Sequence, residues 1–89
     1  MIINFSTDTV LYQESTPVFR SGDTLGYQFT NIGNSYVYIN NKFLAPGETF
    51  LTFRQGMIDL TLYRVEFRAN PTYPLPNNNV CEVVIFNKR

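Results

Sequence analysis

Apolar and polar residues alternate with a period of two along most of the chain, which is the pattern of β-strands with one buried face. In the range 25–30, for example, Leu25, Tyr27 and Phe29 share one face. Helices are not predicted, because no window sustains apolar residues at i, i+3, i+4 and i+7. The predicted strands are 2–5, 9–12, 16–20, 25–30, 35–40, 48–53, 59–69 and 80–86.

Turn chemistry separates these strands. Pro46 fixes its own φ and Gly47 can adopt a positive φ, so the chain must bend sharply there. Eight short strands with turns between them predict an all-β fold, a small antiparallel β-sandwich of the Ig-like or jelly-roll-like type, with a small β-barrel as the alternative. The 89 residues are expected to form a single domain, 1–89, in which sequential strands are mostly neighbours.

The range 59–69 is long for a strand, and its alternation changes phase midway. Leu60 and Leu62 have one parity and Val65 and Phe67 the other, so a β-bulge is predicted near Tyr63 and Arg64. The alternation predicts a core of Phe5, Leu25, Tyr27, Phe29, Val37, Ile39, Phe50, Leu60, Leu62, Val65, Phe67, Cys81, Val83 and Ile85.

Two segments present more apolar groups than one core face needs. Tyr36 and Tyr38 lie on the face opposite Val37 and Ile39, and the alternative is that both rings lie flat on their own sheet. The Pro/Asn-rich loop 70–79 contains three prolines, which disfavour sheet pairing, and it carries two apolar residues, Tyr73 and Leu75. We therefore predict a protein interface at Tyr36, Tyr38, Tyr73 and Leu75.

The composition argues against catalysis, metal binding and phosphate binding. The chain has no histidine, the commonest general base and metal ligand, and no glycine-rich phosphate loop. A non-enzymatic protein is expected, and no catalytic, cofactor-binding or metal-binding residue is predicted. Cys81 is the single cysteine, so we expect a buried, inert thiol.

Charge and hydropathy restrict the partners. Seven basic residues balance seven acidic ones, so direct nucleic-acid binding is not expected. No stretch approaches the roughly 20 apolar residues that cross a membrane, so no membrane partner is expected either. The first five residues lack the features of a secretory signal, which predicts synthesis in a cytoplasm.

Three motifs occur in order between residues 31 and 48. They are Asn31-Ile32-Gly33, Val37-Tyr38-Ile39-Asn40 and Leu44-Ala45-Pro46-Gly47-Glu48. Together they resemble small β-sandwich structural proteins of tailed bacteriophages, particularly crAss-like phages and their relatives. Immunoglobulin-like adhesins and carbohydrate-binding modules use a similar Pro-Gly-Glu turn.

The resemblance implies a non-enzymatic virion component: a head auxiliary or decoration protein, a head-fibre subunit or a tail subunit. Such a protein is made in the host cytoplasm, located in the virion, and works as a homo-oligomer or with other capsid, fibre or tail subunits. One alternative is a small carbohydrate- or receptor-binding module, in which Tyr36, Tyr38 and Tyr73 stack on a glycan. Another is a cytoplasmic phage inhibitor of one host protein.

Overall fold

The computed structural model describes residues 5–18, 24–52 and 62–88, with residues 5 and 88 described by their backbone alone. This part of the chain contains eight strands and no helix. The strands are β1 (Phe5–Tyr12), β2 (Thr16–Val18), β3 (Thr24–Asn31), β4 (Tyr36–Ile39), β5 (Lys42–Leu44), β6 (Thr49–Leu51), β7 (Tyr63–Arg68) and β8 (Cys81–Lys88). The predicted loop 70–79 carries no strand.

The strands form two antiparallel four-stranded sheets packed together, so the predicted all-β sandwich is confirmed. One sheet has the order β1-β8-β3-β6 and the other β2-β7-β4-β5. The pairs β1/β8, β2/β7, β3/β6 and β4/β5 therefore nest like the arms of one long hairpin folded on itself, which is the jelly-roll order. An immunoglobulin-like sheet would instead pair the first strand with the second.

The expectation that sequential strands are neighbours is wrong for most of the described sheets. Only β4 and β5 are both consecutive in sequence and hydrogen-bonded to each other within the described part. The other strands pair with partners far along the chain, because each arm of the nested hairpin returns beside an early strand. Consecutive strands other than β4 and β5 therefore lie in different sheets.

The core lies between the two sheets and is built from one face of each. Its buried hydrophobic residues are Val18, Leu25, Tyr27, Phe29, Val37, Ile39, Leu44, Val65, Cys81, Val83 and Ile85. Phe50 and Phe67 are half-buried and pack against this cluster. Val18 and Leu44 were not in the predicted core. Of the predicted core, the Phe5 side chain and Leu60 lie outside the described residues.

Leu62 was predicted to be buried, but 59% of its surface is exposed. It precedes β7, in which Tyr63, Val65 and Phe67 turn towards the core. The register of β7 against β2 and β4 is continuous, so the bulge predicted near Tyr63 and Arg64 is wrong. A register shift occurs instead in β3, between Thr24 and Gly26, where β3 pairs with β8.

Candidate interaction surface

Three aromatic rings cluster on the outer face of the sheet β2-β7-β4-β5. The alternation of β4 buries Val37 and Ile39 and turns Tyr36 and Tyr38 outward, where both remain half-buried. Phe43 on β5 pairs directly with Tyr38. Its ring centroid lies 5.1 Å from that of Tyr36 and 5.3 Å from that of Tyr38, and 40% of its surface is exposed. We call Tyr36, Tyr38 and Phe43 the aromatic face.

Charged side chains of β7 border the aromatic face. The Arg68 guanidinium lies 4.3 Å from the Tyr38 ring centroid, a cation–π contact, and 2.6 Å from a carboxylate oxygen of Glu66. Arg68 and Glu66 are both solvent-exposed enough that this ion pair adds little stability. The Arg68 guanidinium therefore covers part of the Tyr38 ring and places a charged pair at the border of the aromatic face.

The turn between β4 and β5 fixes the position of Phe43. Asn40 has a φ of 54°, in the left-handed region that asparagine tolerates better than most residues. Its Oδ1 accepts a hydrogen bond of 2.9 Å from the Arg64 backbone N–H of the adjacent strand. This bond ties the turn to β7, so β5 follows β4 closely and places Phe43 beside both tyrosines.

The loop that carries Tyr73 and Leu75 is closed at its base by two asparagines. The Asn70 backbone N–H donates to Asn77 Oδ1 at 2.6 Å, and Asn77 Nδ2 donates to the Asn70 carbonyl at 3.1 Å. Asn70 is buried, and its Oδ1 accepts from the Thr72 N–H. The side chains of Tyr73 and Leu75 are 42% and 63% exposed. The loop therefore presents its apolar residues to solvent from an ordered base.

The same loop is anchored beside the aromatic face. Asn70 Nδ2 donates to the Asn34 carbonyl at 3.0 Å, two residues before Tyr36. The Asn78 N–H donates to Asn34 Oδ1 at 2.6 Å. The base of the loop therefore lies beside the connection that leads into Tyr36, and no ring contact joins Tyr73 to the aromatic face among the described residues.

Gly33 makes the close approach between these segments feasible. Its N–H donates to the Val80 carbonyl at 3.1 Å, which brings the β3–β4 connection against the end of the loop. A Cβ at this position would collide with the Asn78 carbonyl oxygen. Any larger residue would therefore push the loop away from the connection that leads into Tyr36.

The sequence motifs between 31 and 48 meet in space at this end of the sandwich. The Gly47 N–H donates to the Asn31 carbonyl at 2.7 Å, and the Asn31 N–H donates to the Glu48 carbonyl at 3.0 Å. The buried Asn31 side chain donates from Nδ2 to the carbonyls of Ser35 and Leu44. Gly47 has a φ of 88°, as the turn predicts. The motifs therefore brace a crossover between the two sheets.

The described residues include few side chains with reactive or metal-binding chemistry. Burial raises the pKa of the Cys81 thiol from 9.0 to about 12, against the smaller opposing effect of a hydrogen bond from the Thr30 backbone. Cys81 is fully buried, as predicted. The described residues contain no group of three or more His, Cys, Asp or Glu side chains that could hold a metal ion. They also include no helix of the length and hydropathy needed to cross a bilayer.

The chain matches no protein-family model, no curated protein and no solved structure. The likeness to phage structural proteins therefore rests on the three motifs.

Sequence reasoning missed Phe43 and Arg68. Residues 42–44 look like part of a turn, because the strand is only three residues long. The two-residue polar turn Asn40-Asn41 after Ile39 was a hairpin signal, but the three residues that follow it, Lys42-Phe43-Leu44, show no alternation.

Proposed function

We propose that this chain is a non-enzymatic structural component of a bacteriophage virion, a head auxiliary or decoration protein, a head-fibre subunit or a tail subunit. It acts by packing against other virion proteins. The contact surface comprises the aromatic face and the loop residues Tyr73 and Leu75. The motif resemblance suggests the virion, and the surface suggests how the chain is held there.

The contacts within the aromatic face are the observation on which the proposal depends. Aromatic residues and arginine are enriched at protein interfaces, and large rings contribute most of the binding energy there. Here Phe43 contacts both tyrosines, and Arg68 stacks on Tyr38. Because these side chains already restrict one another, docking costs little conformational entropy.

The loop supplies a second apolar segment, anchored beside the connection that leads into Tyr36. Its asparagine clamp fixes the base, and its prolines reduce the freedom of the exposed segment. Tyr73 and Leu75 can then enter a neighbouring subunit without a large ordering cost. A specific contact needs about 1,000 Å² of total buried area. We therefore assign both the loop and the aromatic face to the contact.

The jelly-roll order supports the proposal by analogy only, since one fold serves many functions. Viral capsid proteins use it, and so do lectins. The second candidate function, a carbohydrate- or receptor-binding module, is favoured by the exposed ring of Phe43 beside two tyrosines. Such rings can stack on the apolar face of a sugar.

Incorporation of variants into particles tests the proposed surface. Tyr73→Ser combined with Leu75→Ser should leave the purified chain folded and reduce its incorporation about tenfold in competition with wild type. The matched control is Leu62→Ser, at an apolar residue that is 59% exposed outside the proposed surface. Equal incorporation of the loop variant and wild type would contradict the proposed contact.

A glycan array separates the two candidate functions. The virion proposal predicts that the wild-type chain binds no glycan. Binding that disappears in Phe43→Ala and Tyr38→Ala but persists in the Leu62→Ser control would favour the carbohydrate-binding module instead. Circular dichroism of each variant establishes that the fold is intact before either result is interpreted.

A further inference from the structure

The sheet β1-β8-β3-β6 has an outer face that the sequence did not single out. Cys81, Val83 and Ile85 of β8 are buried, so the alternating residues Glu82 and Val84 point outward. The register places Leu11 of β1 opposite Glu82 and places Gln28 opposite both Val84 and Leu51 of β6. These residues lie on the side of the sandwich opposite the aromatic face.

The described residues of this face are apolar or neutral, with one exception. Leu11 and Leu51 stand at the two edges of the sheet and are 57% and 55% exposed. The hydroxyls of Thr30 and Thr49 lie 3.0 Å apart and hydrogen-bond to each other. Because those hydroxyls already have a partner, removing water from them costs less than burying free hydroxyls.

Charge distinguishes this face from the aromatic face. Glu82 is the one charged side chain described on it, whereas Arg64, Glu66 and Arg68 alternate along β7 on the opposite side. A contact between two copies related by a two-fold axis brings identical surfaces together. Like charges would repel in such a contact, so a nearly uncharged face suits a second copy better than one with two arginines.

The size of the face also fits a second copy. Strands β1, β3 and β8 have eight residues each and β6 has three. With strands about 4.8 Å apart and about 3.4 Å per residue, the face covers roughly 450 Å². Two such faces bury roughly 900 Å² in total, slightly below the about 1,000 Å² of a stable specific contact, which predicts a weak, concentration-dependent dimer.

We propose that two copies of this chain associate through the outer faces of their β1-β8-β3-β6 sheets. A two-fold axis along the strands brings Leu11 of each copy towards Leu51 of the other, in the aligned sheet-on-sheet packing common in sandwiches. The aromatic faces then point away from the dimer on both sides. This inference does not depend on the virion assignment, because it concerns the purified chain alone.

Sedimentation equilibrium of the purified chain over a range of concentrations tests the proposal. The wild type should shift from monomer to dimer as its concentration rises. Leu51→Lys places a charge in the contact and should weaken dimerisation by about tenfold or more. Leu62→Lys is the matched control, since Leu62 is similarly exposed but lies outside the face. Its dimerisation constant should equal that of wild type.

A third variant should act in the opposite direction. Glu82→Gln removes the described charge from the face and should strengthen dimerisation several-fold, a gain that partial unfolding cannot produce. A wild-type chain that remains monomeric at millimolar concentration would contradict the proposal. The partner of this face would then be a different protein. Equal effects of Leu51→Lys and Leu62→Lys, or weaker dimerisation of Glu82→Gln, would also contradict it.

Discussion

Replacing Phe29 by alanine removes an aromatic side chain that packs between the two sheets of the sandwich. Phe29 is fully buried, and its ring centroid lies 5.7 Å from that of Tyr27, 6.2 Å from that of Phe50 and 5.4 Å from that of Tyr63. Tyr63 belongs to the facing sheet. The substitution therefore disrupts the aromatic packing between the sheets as well as within one of them.

The expected loss of stability is about 3–5 kcal/mol, the usual cost of Phe→Ala in a core. The upper half of that range is expected, because each lost aromatic pair is worth about 0.5–1.5 kcal/mol beyond its buried area. An 89-residue domain has a total unfolding free energy of roughly 4–13 kcal/mol. Phe29→Ala should therefore remove a third or more of the stability, and it unfolds the chain if the wild type lies near the lower end.

Urea unfolding followed by far-UV circular dichroism measures this loss. Phe43→Ala is the matched control: the same atoms are removed from a ring that is 40% exposed, so only its two ring contacts are lost and a smaller loss of about 1–2 kcal/mol is expected. Phe67→Ala should fall between the two, because Phe67 is only half-buried. A loss below about 1 kcal/mol for Phe29→Ala, or equal losses for Phe29→Ala and Phe43→Ala, would refute the assignment of the core.

Three further predictions concern the loop and the thiol. Asn70→Ala should cost about 1–3 kcal/mol and speed amide exchange in 71–77, because the carbonyl of Asn34 and the N–H of Thr72 lose buried partners. Gly33→Ala should lower the melting temperature, because its Cβ would collide with the Asn78 carbonyl oxygen. Gly47→Ala should cost only about 1–2 kcal/mol, because its Cβ would lie in open space and only the positive φ is unfavourable. Cys81 should react with thiol reagents only on unfolding. Between pH 9.0 and about 12 the unfolded thiol ionises and the folded one does not, so stability should fall as pH rises, and fall less steeply in Cys81→Ala.

Local alternation was enough to predict most strands and the inward face of each. Val37 and Ile39 of β4, and Val83 and Ile85 of β8, are buried as their parity predicts. The alternation failed where strands are short: β2 and β5 have three residues each, too few to show a period, so Val18 and Leu44 were missed. The burial of Leu62 was predicted wrongly for a different reason. Leu62 precedes β7, which begins at Tyr63, so the alternation of Leu60 and Leu62 did not indicate which residues of β7 face the core.

Strand order and the full interaction surface depend on contacts between distant residues. The pairing of β1 with β8 joins the two ends of the described chain, and no local pattern encodes it. The tyrosines of the aromatic face were predicted from β4 alone. Phe43 and Arg68 joined them only through the pairing of β4 with β5 and β7. The outer face with Leu11 and Leu51 likewise exists only because β1 and β6 share one sheet.

Assembly into a particle is the proposal that one measurement can decide. Phage particles purified by density gradient are digested, and the abundance of this chain relative to the major capsid protein is measured by mass spectrometry in each fraction. The virion proposal predicts a constant ratio across the particle peak that survives a high-salt wash. A chain that stays in the soluble fraction of the lysate, or whose ratio falls to zero after the wash, would contradict it.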